Sequence, residues 1–227
     1  MIRVLFLCIS LMFLNFSAIS NPLKGAWKWV GNNRTIVLLF QDGYFVATSY
    51  TTDSFAVARG GTYNCEKNAL YIQQEFNTAE KDLRDEKIKF SIKKNILNLD
   101  GIHYERIDNG NAKLSGVWKI SERILNGKMT VIHQKGTRKT LKILTGTRFQ
   151  WFAIDPDGNQ FLGSGGGTYS FKDGIYTEKI EFFSRDSNRV GASLSFKGAL
   201  KNARWHHSGL SSKGDPIYEI WEQVFTH

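Results

Sequence analysis

Gly60-Gly61-Thr62-Tyr63 and Gly166-Gly167-Thr168-Tyr169 are the same four residues in the same order, placed in the two halves of a 227-residue chain. Each is followed by a turn and a strand that ends in acidic and aromatic residues, Gln74-Glu75-Phe76 in the first half and Ile180-Glu181-Phe182-Phe183 in the second. Outward from that anchor the order repeats. Gly25-Ala26-Trp27-Lys28 opens one copy and Gly116-Val117-Trp118-Lys119 the other; His103-Tyr104-Glu105-Arg106-Ile107 closes one and Ile217-Tyr218-Glu219-Ile220-Trp221 the other. Self-similarity of this kind marks a duplicated architecture. With Asp108-Asn109-Gly110-Asn111 between the copies, it predicts two domains, residues 21–110 and 111–227.

Within each copy the hydrophobic period is two, the period of half-buried strands. Phe149, Trp151 and Ala153 alternate with Arg148, Gln150 and Phe152; Ala192, Leu194 and Phe196 alternate with Ser193, Ser195 and Lys197. Asp42-Gly43, Asp100-Gly101, Asp157-Gly158, Asp173-Gly174, Asn109-Gly110 and Asn126-Gly127 are the dipeptides that tolerate the positive φ of tight hairpin turns, so consecutive strands are antiparallel neighbours. Thr78 to Glu86, the one stretch with helical character, is short and charged and reads as a loop. Three prolines, 21 glycines and 30 aromatic residues, with 22% charged residues, describe a globular all-β chain and exclude disorder, collagen and coiled coil. About eight short strands per copy avoid an open sheet edge by closing into a barrel or stacking as a sandwich.

The pairs Gly25-x-Trp27 with Arg106, and Gly116-x-Trp118, resemble the opening signature of lipocalins and related calycin barrels. There the tryptophan plugs the closed end and an arginine near the last strand packs across it. In the second copy Ile220 and Trp221 follow Tyr218-Glu219 where Arg106 follows Tyr104-Glu105, which puts that plug in question. The segment from Thr145 to Trp221, with Glu181-Phe182-Phe183-Ser184-Arg185-Asp186 and Trp205-His206-His207-Ser208-Gly209-Leu210, is similar to a group of uncharacterised secreted lipocalin-like bacterial proteins. The resemblance implies two tandem lipocalin-like antiparallel β-barrels in a periplasmic or extracellular protein, and it brings no known activity.

Residues 1–20 read as a cleaved signal peptide: Arg3, an apolar run from Val4 to Phe16, then Ala18-Ile19-Ser20. The run is shorter than the roughly 20 residues of a spanning helix, so no transmembrane segment is expected in the mature chain. Export removes Cys8 and leaves Cys65 alone, which excludes an internal disulfide and reads as a small buried hydrophobe.

Of the net charge of +9, residues 21–112 carry +1 and residues 113–227 carry +7. The excess gathers at Lys135, Arg138, Lys139, Lys142 and Arg148, where the second copy is longer, and suggests a basic lip over the mouth of the second barrel that draws an anionic ligand or surface. The alternative is a solvated face. No recognition helix, RNA-binding sheet motif or zinc module is visible, so nucleic acid is not an expected partner.

Catalytic signatures fail. His206 and His207 are adjacent on a strand and point to opposite faces, and the histidines have no metal-ligand spacing. Gly163 to Gly167 lacks the ending of a phosphate loop, and Asp155-Pro156-Asp157-Gly158-Asn159 is too short for a calcium loop and reads as a hairpin turn. Between Glu178 and Arg189, Arg185 and Arg189 with Glu181 could hold a carboxylate or phosphate, or tie down a loop with Asp186.

What remains is an exported, non-enzymatic protein that binds a small lipid-like or anionic ligand in its second barrel, without metal or cofactor. The expected ligand contacts are Arg148, Trp151, Tyr169, Tyr176, Arg185 and His207, while Trp27, Arg106 and Trp118 are structural. The rival readings are an envelope interaction module with filled barrels, and a barrel hydrolase or isomerase.

Overall fold

The alternating segments and glycine turns fold as strands throughout a computed structural model that describes residues 21–133, 135–211 and 213–224; the expected leader, 1–20, lies outside the described residues. The first copy contributes β1 (Gly25–Gly31), β2 (Arg34–Gln41), β3 (Tyr44–Tyr50), β4 (Phe55–Glu66), β5 (Ala69–Asn77), β6 (Glu86–Lys93), β7 (Ile96–Leu99) and β8 (Ile102–Asp108). The second contributes β9 (Gly116–Leu125), β10 (Lys128–Val131), β11 (Lys139–Leu144), β12 (Arg148–Asp155), β13 (Gln160–Lys172), β14 (Ile175–Phe183), β15 (Ser193–Lys201), β16 (Arg204–Leu210) and β17 (Pro216–Gln223). Strands β1 to β8 close into an antiparallel barrel through β8 on β1. Strands β9 and β11 to β17 close a second through β17 on β9, and β10 is an extra strand paired with β9. The architecture is all-β with two closed eight-stranded antiparallel barrels, as the repeat predicts.

Asp42-Gly43, Asp100-Gly101, Asn126-Gly127 and Asp173-Gly174 each place both residues at positive φ and turn a hairpin. Asn109-Gly110 does not. It belongs to the linker, where the Asp108 carboxylate accepts from Gly110 N, Gly146 N, Thr147 N and the Thr145 hydroxyl, binding the link to the second barrel.

The repeated glycine pair has a steric cause. Register shifts between Gly60 and Gly61, and between Gly166 and Gly167, make a bulge opposite Glu75 and Glu181. A Cβ on Gly61 would lie 2.0 Å from the Gln73 carbonyl oxygen, and one on Gly167 2.0 Å from that of Lys179. Gly60 and Gly166 leave room for the rings of Phe76 and Phe182, which lie where a side chain would otherwise stand.

Both floors are built alike. Trp27 Nε1 donates to Leu23 O at 2.8 Å, and Trp118 Nε1 to Leu114 O at 2.9 Å. Arg106 lies 3.8 Å over the Trp27 ring and donates to Lys24 O at 2.9 Å and Pro22 O at 2.8 Å. In the second barrel the cross-strand partner of Trp118 is Gln223, the counterpart of Arg106 opposite Trp27. Tyr104-Glu105-Arg106 thus corresponds to Trp221-Glu222-Gln223 and not to the Tyr218-Glu219 that the sequence suggests, so an amide residue stands where the first barrel has its cation.

Apolar residues gather in three clusters, one inside each barrel and one between them. The third joins Val37, Leu39, Val46 and Phe76 of the first barrel to Leu141, Ile143, Phe152 and Phe182 of the second. Tyr44 stacks on Phe152 at 5.6 Å between ring centroids. The two barrels meet through the same outer face, in the manner of a two-fold dimer formed within one chain. Both faces of β12 are therefore buried, which corrects its reading as half-buried: Phe149 looks into the second barrel, while Arg148, Gln150, Phe152 and Ile154 look at the first.

Phe152→Ala is expected to cost about 3–5 kcal/mol, the range for emptying a large buried aromatic site. Denaturant unfolding measures the loss, and faster proteolysis of the linker at 109–111 reports the barrels parting.

Candidate functional site

The six expected ligand contacts divide by location. Tyr169, Tyr176 and His207 face the interior of the second barrel, with the Tyr169 hydroxyl donating to Thr145 O at 2.7 Å. Trp151 is half-buried and packs edge-on against Phe183 at 5.5 Å. Arg185 lies 5.6 Å from the Trp151 ring and donates from Nε to Leu162 O at 2.8 Å. Arg148 stands apart, in the seam between barrels: its guanidinium holds Glu181 at 2.8 and 2.5 Å and the Tyr50 hydroxyl at 3.2 Å. Glu181 is thereby committed to Arg148 rather than to Arg185 or Arg189, and Arg189 instead pairs with Asp186 at 3.0 Å, tying down the loop after β14.

The expected basic lip dissolves in the same way. Lys139 bonds Glu75 of the first barrel at 2.7 Å, Arg148 lies in the seam and Lys142 is inside the barrel; only Lys135 and Arg138 are exposed. Period two says that a side chain faces one side or the other, and it is silent on which side meets a second barrel. Cys65 is half-buried rather than the buried residue expected, and burial pushes its thiol up to about 11, which keeps it protonated at neutral pH.

The first barrel serves as an internal reference for the second. Leu38 pairs with Trp27 and Lys142 with Trp118, so Lys142 occupies the place of Leu38. Ile72 pairs with Tyr63 and Glu178 with Tyr169. Leu99 pairs with Ile102 where His207 pairs with Glu219. Four apolar positions of one barrel are four ionisable residues in the other.

Those four sit among aromatic rings. Lys142 Nζ is 2.9 Å from Glu178 Oε1, both side chains nearly without solvent, and the Tyr176 hydroxyl donates to the same oxygen at 2.9 Å. The ammonium also lies 5.0 Å from the Trp221 ring, 5.2 Å from Trp205, 5.3 Å from Tyr176 and 5.9 Å from Phe149, an aromatic box around a desolvated cation. His207 Nδ1 is 3.5 Å from Glu219 Oε2, Arg123 Nη2 is 3.5 Å from Oε1, and Trp221 Nε1 donates to Oε2 at 3.2 Å. Trp205 Nε1 and both His207 nitrogens are buried with no hydrogen-bond partner among the described residues.

Burial pushes the His207 imidazole below its ordinary value, against the opposing pull of Glu219, so the ring is neutral at neutral pH. For Glu219 burial alone would raise the carboxyl, but His207, Lys142 and Arg123 together outweigh it and hold the group low. Burial, with Glu178 close by, drives the Tyr176 phenol well above its ordinary value, so it acts only as a neutral donor.

Sequence reading missed Lys142, Glu178 and Glu219 as one site. Lys142 passed as part of a basic run and Glu178 as part of a charged stretch. The signal was available for Glu178, which follows Tyr169 at the distance at which Ile72 follows Tyr63, but the extra hairpin between Trp118 and Lys142 displaces the match of Lys142 to Leu38.

Open depressions lie elsewhere. Those of about 670 and 810 Å³ are on the first barrel, the former around Arg59, Gln74 and Glu86, and one of about 660 Å³ lies along β14 to β16 of the second. None of these three has Lys142, Glu178, His207 or Glu219 in its wall. The last is mainly apolar, with Ile175, Leu194, Phe196 and Leu210, and Phe196 is also the ring nearest His207, at 4.2 Å between centroids. Among the described residues no group of three or more His, Cys, Asp or Glu is placed to hold a metal ion. Compared with known proteins, the chain matches no family model and no curated protein.

Two outcomes are expected. Lys142→Leu or Glu178→Ile alone strands a buried charge and lowers stability by about 3–5 kcal/mol, whereas the double variant, which copies the first barrel, is neutral or up to about 4 kcal/mol more stable; chemical denaturation of the three proteins decides. Separately, because the folded value of His207 lies below the unfolded one, the unfolded chain binds more protons in that window, so stability falls as pH drops below about 6.5. His207→Leu should flatten that limb in unfolding midpoints compared at neutral and mildly acidic pH.

Proposed function

We propose that this is an exported, non-catalytic binding protein whose second barrel holds a small amphiphile by its polar head at the Lys142–Glu178–His207–Glu219 layer. One observation carries the reading: these four ionisable residues occupy positions that are Leu38, Ile72, Leu99 and Ile102 in a barrel of the same build. Desolvating such groups costs several kcal/mol each, so stability does not account for them.

The chemistry narrows the guest. The charges of the layer compensate internally, Lys142 with Glu178 and Arg123 with Glu219, so a free anion finds no uncompensated cation there. What remains open is hydrogen bonding: among the described residues the Trp205 indole N–H and His207 Nε2 have no partner, while His207 Nδ1 faces Glu219 at 3.5 Å. The indole offers a donor and the neutral imidazole, its Nδ1–H turned to Glu219, offers an acceptor at Nε2, so they suit a head group that both accepts and donates, such as a hydroxyl. The apolar groove of about 660 Å³ is within the usual size of small-molecule sites, and Phe196 stands between it and His207. In this reading the tail lies along Ile175, Leu194 and Leu210 and the head enters by displacement of the Phe196 ring. First-barrel residues such as Trp27, Phe40 and Phe45 fill their own interior, and that barrel acts as the structural partner.

Full barrels also favour the interaction-module reading, and one experiment separates the two. Native mass spectrometry of protein isolated from the organism that encodes it should show a retained small molecule, and N-phenyl-1-naphthylamine, a neutral fluorescent amphiphile, should compete for the site. The Lys142→Leu/Glu178→Ile protein should lose the adduct and weaken probe binding at least tenfold while staying folded. An adduct and probe affinity unchanged in that variant would place the guest elsewhere, and absence of both from the unaltered protein would favour the interaction module.

A further inference from the structure

The two copies differ most where β1 passes to β2 in the first and β9 to β11 in the second. The first connection is the tight turn Asn32-Asn33, with both residues at positive φ. The second is a β-hairpin, β9 with β10, turned by Asn126 and Gly127 and standing out from the barrel, since β10 pairs only with β9. Its root is fixed: Arg123 reaches Glu219, and Glu122 bonds Arg204, which also holds Glu222 at 2.9 Å.

The tip carries the wrong residues for a solvated turn. Ile124, Leu125 and Met129 are 44%, 42% and 45% exposed, and Ile124 and Met129 are directly paired across the strands, so their side chains share one face. An arm held out from a barrel with large apolar side chains at its end is a surface awaiting a partner. The charge around it says which. Lys128 is at the tip, Lys135 and Arg138 are exposed in the segment that follows, and the one acidic residue between Ser121 and Lys139, Glu122, is engaged by Arg204. An apolar tip carrying Lys128, followed in the chain by the exposed cations Lys135 and Arg138, matches an anionic lipid surface, where the apolar side chains enter the acyl boundary and the cations meet head groups.

We propose that the β9–β10 hairpin docks the protein on an anionic membrane surface, with Ile124, Leu125 and Met129 inserted and Lys128, Lys135 and Arg138 against the lipid phosphates. The proposal is independent of the ligand reading, because none of the six residues it uses belongs to the ionisable layer; the arm meets that layer only at its root, where Arg123 reaches Glu219. It adds a peripheral contact made by a strand hairpin, and no spanning helix is involved: no helix among the described residues is long and apolar enough to cross a membrane.

Vesicle co-sedimentation tests it, comparing phosphatidylcholine with an equal mixture of phosphatidylcholine and phosphatidylglycerol. The protein should sediment with the mixed vesicles, weakly with the neutral ones, and less as salt rises. Each of Lys128→Gln, Lys135→Gln and Arg138→Gln should weaken binding about fivefold, and the triple variant roughly a hundredfold. Ile124→Ser/Leu125→Ser/Met129→Ser should lower binding at least tenfold at unchanged thermal stability, since all three side chains are exposed. Equal binding to both vesicles, binding indifferent to the tip variants, or no binding at all would overturn the proposal; concentration-dependent dimerisation abolished by the same tip variants, without vesicle binding, would assign the hairpin to a second copy instead.

Discussion

Phe76 and Phe182, each lying against a glycine of the repeated pair, hold the molecule together. The bulge at Gly60-Gly61 and Gly166-Gly167 reverses the alternation of β5 and β14 at that point. Ile72 and Gln74, or Glu178 and Ile180, oppose one side of the bulge, and Phe76 or Phe182 emerges on the other, into the cluster shared by the two barrels. The residue extruded by each bulge is a glutamate, and the two do equivalent work. Glu75 bonds Tyr44 of its own barrel and Lys139 of the other; Glu181 bonds Arg148 of its own barrel and Tyr50 of the other, at 2.5 Å. A Cβ on either second glycine would collide with a carbonyl oxygen, so closure of each barrel and docking of the pair depend on the same backbone device.

That dependence explains why the copies have kept their frame while their contents diverged. Residues serving the floor and the seam match closely: Trp27 with Trp118, Leu39 with Ile143, Phe76 with Phe182. Residues looking into the barrel at mid-height are freer, because an interior layer touches only its own barrel. The second barrel has used that freedom to exchange the buried Leu38, Ile72 and Leu99 for Lys142, Glu178 and His207, and to place Glu219 where the first barrel has the exposed Ile102, with Trp205, Trp221 and Tyr176 as walls. Those rings compensate part of the desolvation of the ammonium through their faces, and the phenol satisfies the carboxylate. The layer is buried and paired, and among the described residues it is still short of hydrogen-bond partners at Trp205 Nε1 and His207 Nε2.

Much of the fold was legible because its determinants are local. Gly-Gly-Thr-Tyr reports a bulge, Asp-Gly and Asn-Gly report hairpin turns, and Gly-x-Trp with Arg106 reports the floor. The site was harder to read for a physical reason. Alternation divides a strand into two faces, but only the closed barrel and its neighbour decide which face is a solvent surface, a seam or an interior. Arg148 and Trp151 lie on one strand and both looked like ligand contacts; the structure puts the first in the seam and the second inside. Lys139 and Lys142 looked like neighbours on a lip, yet one crosses to Glu75 and the other enters the core. His206 and His207 were separable because adjacent strand residues diverge regardless of context: His206 accepts or donates at Tyr218 Oη outside, 2.8 Å away, and His207 lies within.

The ionisable layer and the protruding hairpin belong to the same barrel, and the first barrel has neither. A duplicated pair joined through equivalent faces needs only one member to be kept for strength. The first barrel, with Leu38, Ile72 and Leu99 in its core, supplies a stable face on which the second can dock. The seam then shields one side of β12 from water, so the second barrel can hold buried charge without relying on its own interior alone to stay folded. Placing desolvated lysine and glutamate inside a lone barrel of this size would consume a large part of a total stability of about 5–15 kcal/mol. Shared burial across the seam relieves that limit, and a division of labour between a filled barrel and a charged one is the arrangement that follows.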